Sequence, residues 1–193
     1  MSCRNASESG MDMNVNEVSG GPAVGTKEKI WRIVAVLLTI FWMMVIFAYS
    51  AKTAEASTQQ SLRLGRALGK LVISDWNELS AEEQLAFAER WDHPVRKAGH
   101  VAEFAILGFL LTNVFIARRT KKRPTVVLSL FSGIVYAASD ELHQTFVPGR
   151  AGMITDVGID TCGVLIGTAV FLGIYAVMEK CAGKRKEHPA EKG

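Results

Sequence analysis

The sequence predicts an all-α membrane protein. Four transmembrane helices cross the bilayer, both chain ends lie inside, and an amphipathic helical segment rests on the outer surface between the first and second helices. Three observations predict this. Long apolar runs occur four times along the 193 residues, blocks of Lys and Arg mark every second boundary of those runs, and a stretch of balanced charge separates the first run from the second. Overall hydrophobic content is 49% and net charge +3, values a soluble protein could share. The distribution of apolar residues therefore decides the class, and so small a basic excess gives no argument for nucleic acid as a partner.

Residues 1–29 are polar, rich in Ser, Asn, Gly and Glu, and without apolar periodicity, which predicts a disordered cytoplasmic tail. No apolar stretch follows a short basic start there, so the segment is not read as a signal peptide. A membrane domain is expected over residues 30–180, and residues 181–193 form a basic cytoplasmic tail. The first helix covers about residues 31–51. Its run IVAVLLTIFWMMVIFAYSA carries no charge, and about 20 helical residues span the ~30 Å hydrocarbon core. Trp31 and Arg32 stand at its start as interface anchors.

The outer segment, residues 52–93, balances Lys and Arg against Asp and Glu. SLRLGRALGKLVI places Leu64, Leu68, Leu71 and Val72 on one helical face with basic residues opposite. SAEEQLAFAERW opens with a capping box of Ser80 and Glu83. Two short helices resting on the membrane are expected. Pro94, a favourable first-turn residue, opens the second span (94–117). Further spans follow at 124–141 and 154–178. The basic blocks are Lys27, Lys29 and Arg32; RRTKKR at 118–123; and Lys180 with Lys184, Arg185 and Lys186. All fall on one side if each helix crosses, which makes the chain N-in and C-in, in a plasma membrane.

That topology brings polar groups from three helices to one depth near the outer leaflet. His100 and Glu103 lie three apart at the start of the second helix. Asp140, Glu141, His143 and Gln144 end the third, Asp156 and Asp160 begin the fourth, and Arg150 sits in the loop between those two. Ionisable groups at membrane depth cost a few kcal/mol each on insertion scales and are usually paired and functional. Structural readings stand beside the functional ones. His100 with Glu103 fits an interhelical hydrogen bond, Asp156 fits an N-cap, and Pro148-Gly149 with Arg150 fits a simple loop reversal. Asp140 and Glu141 at a helix C-terminus oppose the helix dipole, which is unfavourable without partners.

Candidate acid–base or binding groups are therefore His100, Glu103, Asp140, Glu141 and His143. Candidate ligand contacts are Lys97, Gln144, Arg150, Asp156 and Asp160. A divalent metal is the candidate cofactor, with His100, His143, Asp140, Asp156 and Asp160 as the ligand pool, because imidazole and carboxylate together suit divalent ions. Cys3, Cys162 and Cys181 have no ligand spacing, and Cys162 is expected to be buried packing. No phosphate-binding glycine loop occurs.

The motifs Arg96-Lys97-Ala98-Gly99-His100 with Glu103, Asp140-Glu141-Leu142-His143-Gln144, Phe146-Val147-Pro148-Gly149-Arg150 and the pair Asp156 and Asp160 together resemble the VanZ-like family of bacterial integral membrane proteins. The family's founding member is linked to teicoplanin resistance. The resemblance spans roughly residues 31–178 and implies a multi-helix membrane protein, but supplies no mechanism. Two functions from different classes follow. One is recognition of a lipid-linked or peptidoglycan-related envelope ligand, with an effect on glycopeptide susceptibility. The other is a metal-dependent or general acid–base enzyme acting on a phosphate- or carboxylate-bearing envelope substrate. A purely structural polar network is the third reading.

Overall fold

The computed structural model describes residues 25–118 and 120–187. The expected tail through residue 24, Arg119 of the central basic block and residues 188–193 of the basic C-terminal tail lie outside the described residues. Among the described residues the chain forms α1 (Thr26–Ser50), α2 (Ala54–Val72), α3 (Ala81–Ala117), α4 (Lys122–Gln144) and α5 (Ile154–Glu187), with a 3₁₀ turn at Trp76–Glu78 and no strand. Helices α1, α3, α4 and α5 are each long and apolar enough to cross a membrane. The chain is a multi-pass membrane protein.

Helix α1 turns Leu37, Phe41 and Met44 outward and buries Ala35, Thr39, Ile46 and Ser50. Apolar groups on the outside and small or polar groups inside suit lipid, where an exposed leucine costs nothing. Thr53 caps α2 by accepting a bond from the Ala56 amide at 3.3 Å. On α2, Ser61, Gly65 and Gly69 face the protein, while Leu64, Leu71 and Val72 are exposed. The leucine face thus points away from the bundle, as a helix lying on a bilayer requires. Gly65 permits close approach to the Ala88 backbone, and Gly69 lies against the Trp76 ring.

The second half of the outer segment differs from expectation. Ser80 and Glu83 form the capping box, with Ser80 N donating to Glu83 Oε2 at 2.8 Å and Glu83 N to Ser80 Oγ at 3.2 Å. The helix they start does not end before Pro94 but continues through it to Ala117. Pro94 removes the N–H that would bond the Arg90 carbonyl, at a cost of roughly 3 kcal/mol. The cap and the packing of Phe87 edge-on against Trp76, ring centroids 5.4 Å apart, help offset it. Helix α4 also runs beyond residue 141, which puts His143 and Gln144 in its last turn, and α5 runs beyond residue 178. Met178, Glu179, Lys180 and Ala182 are good helix formers, so leaving lipid does not end the helix.

Helix α3 is central and packs against all the other helices. Its closest neighbour is α5, where Gly163 and Gly167 let the backbones of Val101 and Ala105 approach, and Gly108 does the same for Val164. Small residues spaced four apart are a common membrane packing device. The core is Ile46, Phe104, Leu107, Ala137 and Val164. One polar knot sits among these helices: Thr112 Oγ1 lies 3.2 Å from Ser129 Oγ and 3.1 Å from Thr168 Oγ1. Cys162 is exposed on α5 rather than buried, because Gly163 and Val164 take the inward positions.

Candidate functional site

The ends of α1 and α4, the middle of α3 around His100, the start of α5 and the loop 145–153 meet in one region of the bundle. Within the loop, Gly149 adopts φ 75°, a conformation that favours glycine, and the Pro148 carbonyl accepts from the Ala54 amide at 3.4 Å. Gly152 lies directly on the Glu141 carbonyl, where a Cβ would collide. The Met153 amide then donates to Glu141 Oε2 at 2.8 Å, which ties the start of α5 to the end of α4. These contacts set the positions of Arg150, Asp156 and Asp160.

The structure sorts the ten expected site residues. His100, Asp140 and Asp160 converge: each presents a donor atom, and these atoms lie within 4.8 Å of one another. Asp160 is 0% exposed and Asp140 3% exposed. His100 Nδ1 lies 3.6 Å from Asp160 Oδ1, beyond hydrogen-bond distance. Gln144 holds Asp140 by donating Nε2 to Oδ2 at 3.1 Å. His100 Nδ1, Asp140 Oδ1 and both oxygens of Asp160 are buried without a hydrogen-bond partner. Buried polar atoms are nearly always satisfied, so such a group of unpartnered atoms calls for an explanation.

Other residues go elsewhere. Asp156 is not a cap. It lies in the first turn of α5 and accepts from Lys97 Nζ at 2.5 Å, an ion pair that joins α3 to α5. His143 leaves the ligand pool and lies against the Phe47 ring of α1, centroids 4.4 Å apart. Glu141 serves the loop through Met153, with its second oxygen unpartnered. Glu103 is half-buried beside His100, and its backbone carbonyl accepts from Trp42 Nε1 at 2.9 Å. It makes no side-chain hydrogen bond to His100 of the kind the simplest structural reading expects. Ser139, next to Asp140 in sequence, donates its hydroxyl to the Tyr136 carbonyl at 2.7 Å and is exposed.

Two clefts open onto this end. One of about 270 Å³ is lined by Lys97, Gln144 and Asp156 among others, and a smaller one of about 80 Å³ by Lys52, Ser61 and Glu103. Arg96, His100 and Arg150 line both. Arg96 pairs with Asp92, which also accepts from Ser61 Oγ of α2. Arg150 is half-buried and has no ion-pair partner among the described residues. Burial lowers its pKa, with the neighbouring Arg96 charge adding to the effect, but a guanidinium stays cationic at any physiological pH. Lys52, over the Tyr49 ring at 3.9 Å, and Ser61 escape a reading by helix spans. Lys52 nonetheless carries a signal, as the first charge after the apolar run of α1.

A protein-family model described as VanZ/LLP1 matches residues 35–176. The chain belongs to the VanZ/LLP1 family. The matched region of this VanZ-family protein takes in every residue of the buried cluster and of the cationic cleft. It also includes α2, which the resemblance over roughly residues 31–178 had already taken in. Neither a curated protein nor a solved structure matches the chain.

Proposed function

We propose that this VanZ-family membrane protein recognises an anionic cell-envelope ligand, lipid-linked or peptidoglycan-related, in the cleft shared by Arg96, His100 and Arg150. The observation that carries the reading is Arg150, a half-buried cation with no ion-pair partner among the described residues and a place on both clefts. A half-buried cation without a direct ion pair is incompletely compensated, and a phosphate or carboxylate received from a ligand supplies the missing paired N–H···O bonds. The volume of about 270 Å³ suits a head group rather than a drug-sized molecule. The exposed Leu64, Leu71 and Val72 of α2 would rest this helix, which borders the smaller cleft, on the bilayer surface. By the basic-block topology, that surface is the outer one. Altered access to an envelope precursor would then change teicoplanin susceptibility.

The buried cluster favours a second reading, in which the bound phosphate or carboxylate is also a substrate and His100 with the carboxylates supplies acid–base or metal-dependent chemistry. Polyprenyl phosphate binding to the protein in nanodiscs tests both. Binding is expected to weaken about tenfold in Arg150→Lys, because an ammonium lacks the planar fork. Equal binding by Arg150→Lys and wild type sinks the recognition reading. Release of inorganic phosphate from the bound probe selects the enzyme.

A further inference from the structure

We propose that His100, Asp140 and Asp160 hold one divalent transition-metal ion in the bundle interior beside the ligand cleft. The site shares only His100 with the cleft of the recognition reading.

The first argument is geometric. His100 Nδ1 and Asp160 Oδ1 stand 3.6 Å apart, too far to share a proton. Two ligands at about 2.1 Å from a common tetrahedral ion stand about 3.4 Å from each other. All three donor atoms fall within 4.8 Å, a spread that a single ion can draw together by small side-chain rotations. The second argument is the missing partners. Asp160 is 0% exposed, and neither of its oxygens nor the facing oxygen of Asp140 accepts a hydrogen bond. Gln144 occupies the other Asp140 oxygen and leaves the unpartnered one for the cluster. A structural network would close these bonds on itself. Unpartnered oxygens are what a ligand sphere looks like before the ion is added.

The third argument is charge. Two buried carboxylates face one imidazole, and no Lys or Arg among the described residues pairs directly with either: Lys97 goes to Asp156, Arg96 to Asp92, and Arg150 acts on Asp140 only through space. Isolated buried carboxylates are too costly to leave uncompensated. A divalent ion neutralises both with no further residue. One imidazole with two carboxylates suits zinc or manganese better than calcium, whose ligands are all oxygens. Three protein ligands also leave coordination positions free.

The test uses tag-free, full-length protein in detergent, first stripped with chelator and then titrated with Zn²⁺ and Mn²⁺. Metal content is read by inductively coupled plasma mass spectrometry, and stability by Tm. About one equivalent per chain is expected to bind and to raise Tm. Affinity should fall at least ~10-fold in Asp160→Asn and in His100→Gln. Thr112→Val, which alters the separate polar knot, should bind as wild type does. Wild-type protein that takes up neither ion, or an Asp160→Asn protein that binds equally, overturns the site. If Asp160→Asn does not give monodisperse protein, Asp140→Asn takes its place, and the wild-type titration decides alone if neither variant folds. Arg150→Lys separates the two proposals. It is expected to keep the metal while binding polyprenyl phosphate about tenfold more weakly. An ion bound by a wild-type protein that ignores the phosphate leaves the metal site standing and removes the recognition reading.

Discussion

Asp156 and Asp160 show how much a single turn decides. They lie four apart at the start of α5, yet Asp156 is one-third exposed and paired to Lys97, whereas Asp160 is sealed with both oxygens unpartnered. The Lys97–Asp156 pair joins two helices at a water-accessible depth, where an ion pair contributes up to ~1 kcal/mol. Lys97→Gln should therefore lower Tm only slightly and leave polyprenyl phosphate binding nearly unchanged. Abolished binding at unchanged Tm would place the Lys97 ammonium on the ligand instead. His143 makes the same point from the other side. It shares a helix turn with Asp140, and the Phe47 ring still takes it away from the cluster. Sequence identifies these residues as polar groups at one depth. It does not tell which turn points inward.

At the scale of helices, the α3–α5 contact controls the cluster, because His100 and Asp160 stand on those two helices. Gly167 lies on the Ala105 backbone, with no space for a Cβ, while Gly173 has open space around it. Gly167→Leu is expected to cost about 1–3 kcal/mol or more through overpacking, seen as a clear fall in Tm. Gly173→Leu should leave Tm near the wild-type value. Similar Tm values for the two variants would show that α3 and α5 are not packed this closely. The apolar runs of α1, α4 and α5 and the capping box of α3 were legible in the sequence. The continuation of α3 through Pro94 was not. Proline marks a local cost, and only the packing of Phe87 and Trp76 shows that the cost is met.

For the whole molecule, four crossings would return both ends to one side, and from the basic blocks we propose that this side is the cytoplasm. On that proposal the loop with Pro148, Gly149 and Arg150 lies outside. With Cys3, Cys162 and Cys181 replaced, a cysteine at Ala151, which is exposed, should react with an impermeant maleimide in intact cells. A cysteine at Thr120, between α3 and α4, should react only after lysis. The reverse pattern would invert the topology and put the cleft on the cytoplasmic side.

The sequence by itself determined the class, the four membrane spans, the capping box and the list of polar residues near one end of the bundle. Each depends on a run of neighbouring residues: transfer to lipid is a sum over about 20 consecutive side chains, and a cap acts over one turn. Only the tertiary structure decided that His100, Asp140 and Asp160 meet, that Asp156 and His143 do not join them, and that Arg150 lines the cleft without an ion-pair partner among the described residues. Those outcomes depend on how each helix is rotated about its axis. That rotation is set by where Gly108, Gly163 and Gly167 let backbones touch, contacts between residues more than fifty positions apart.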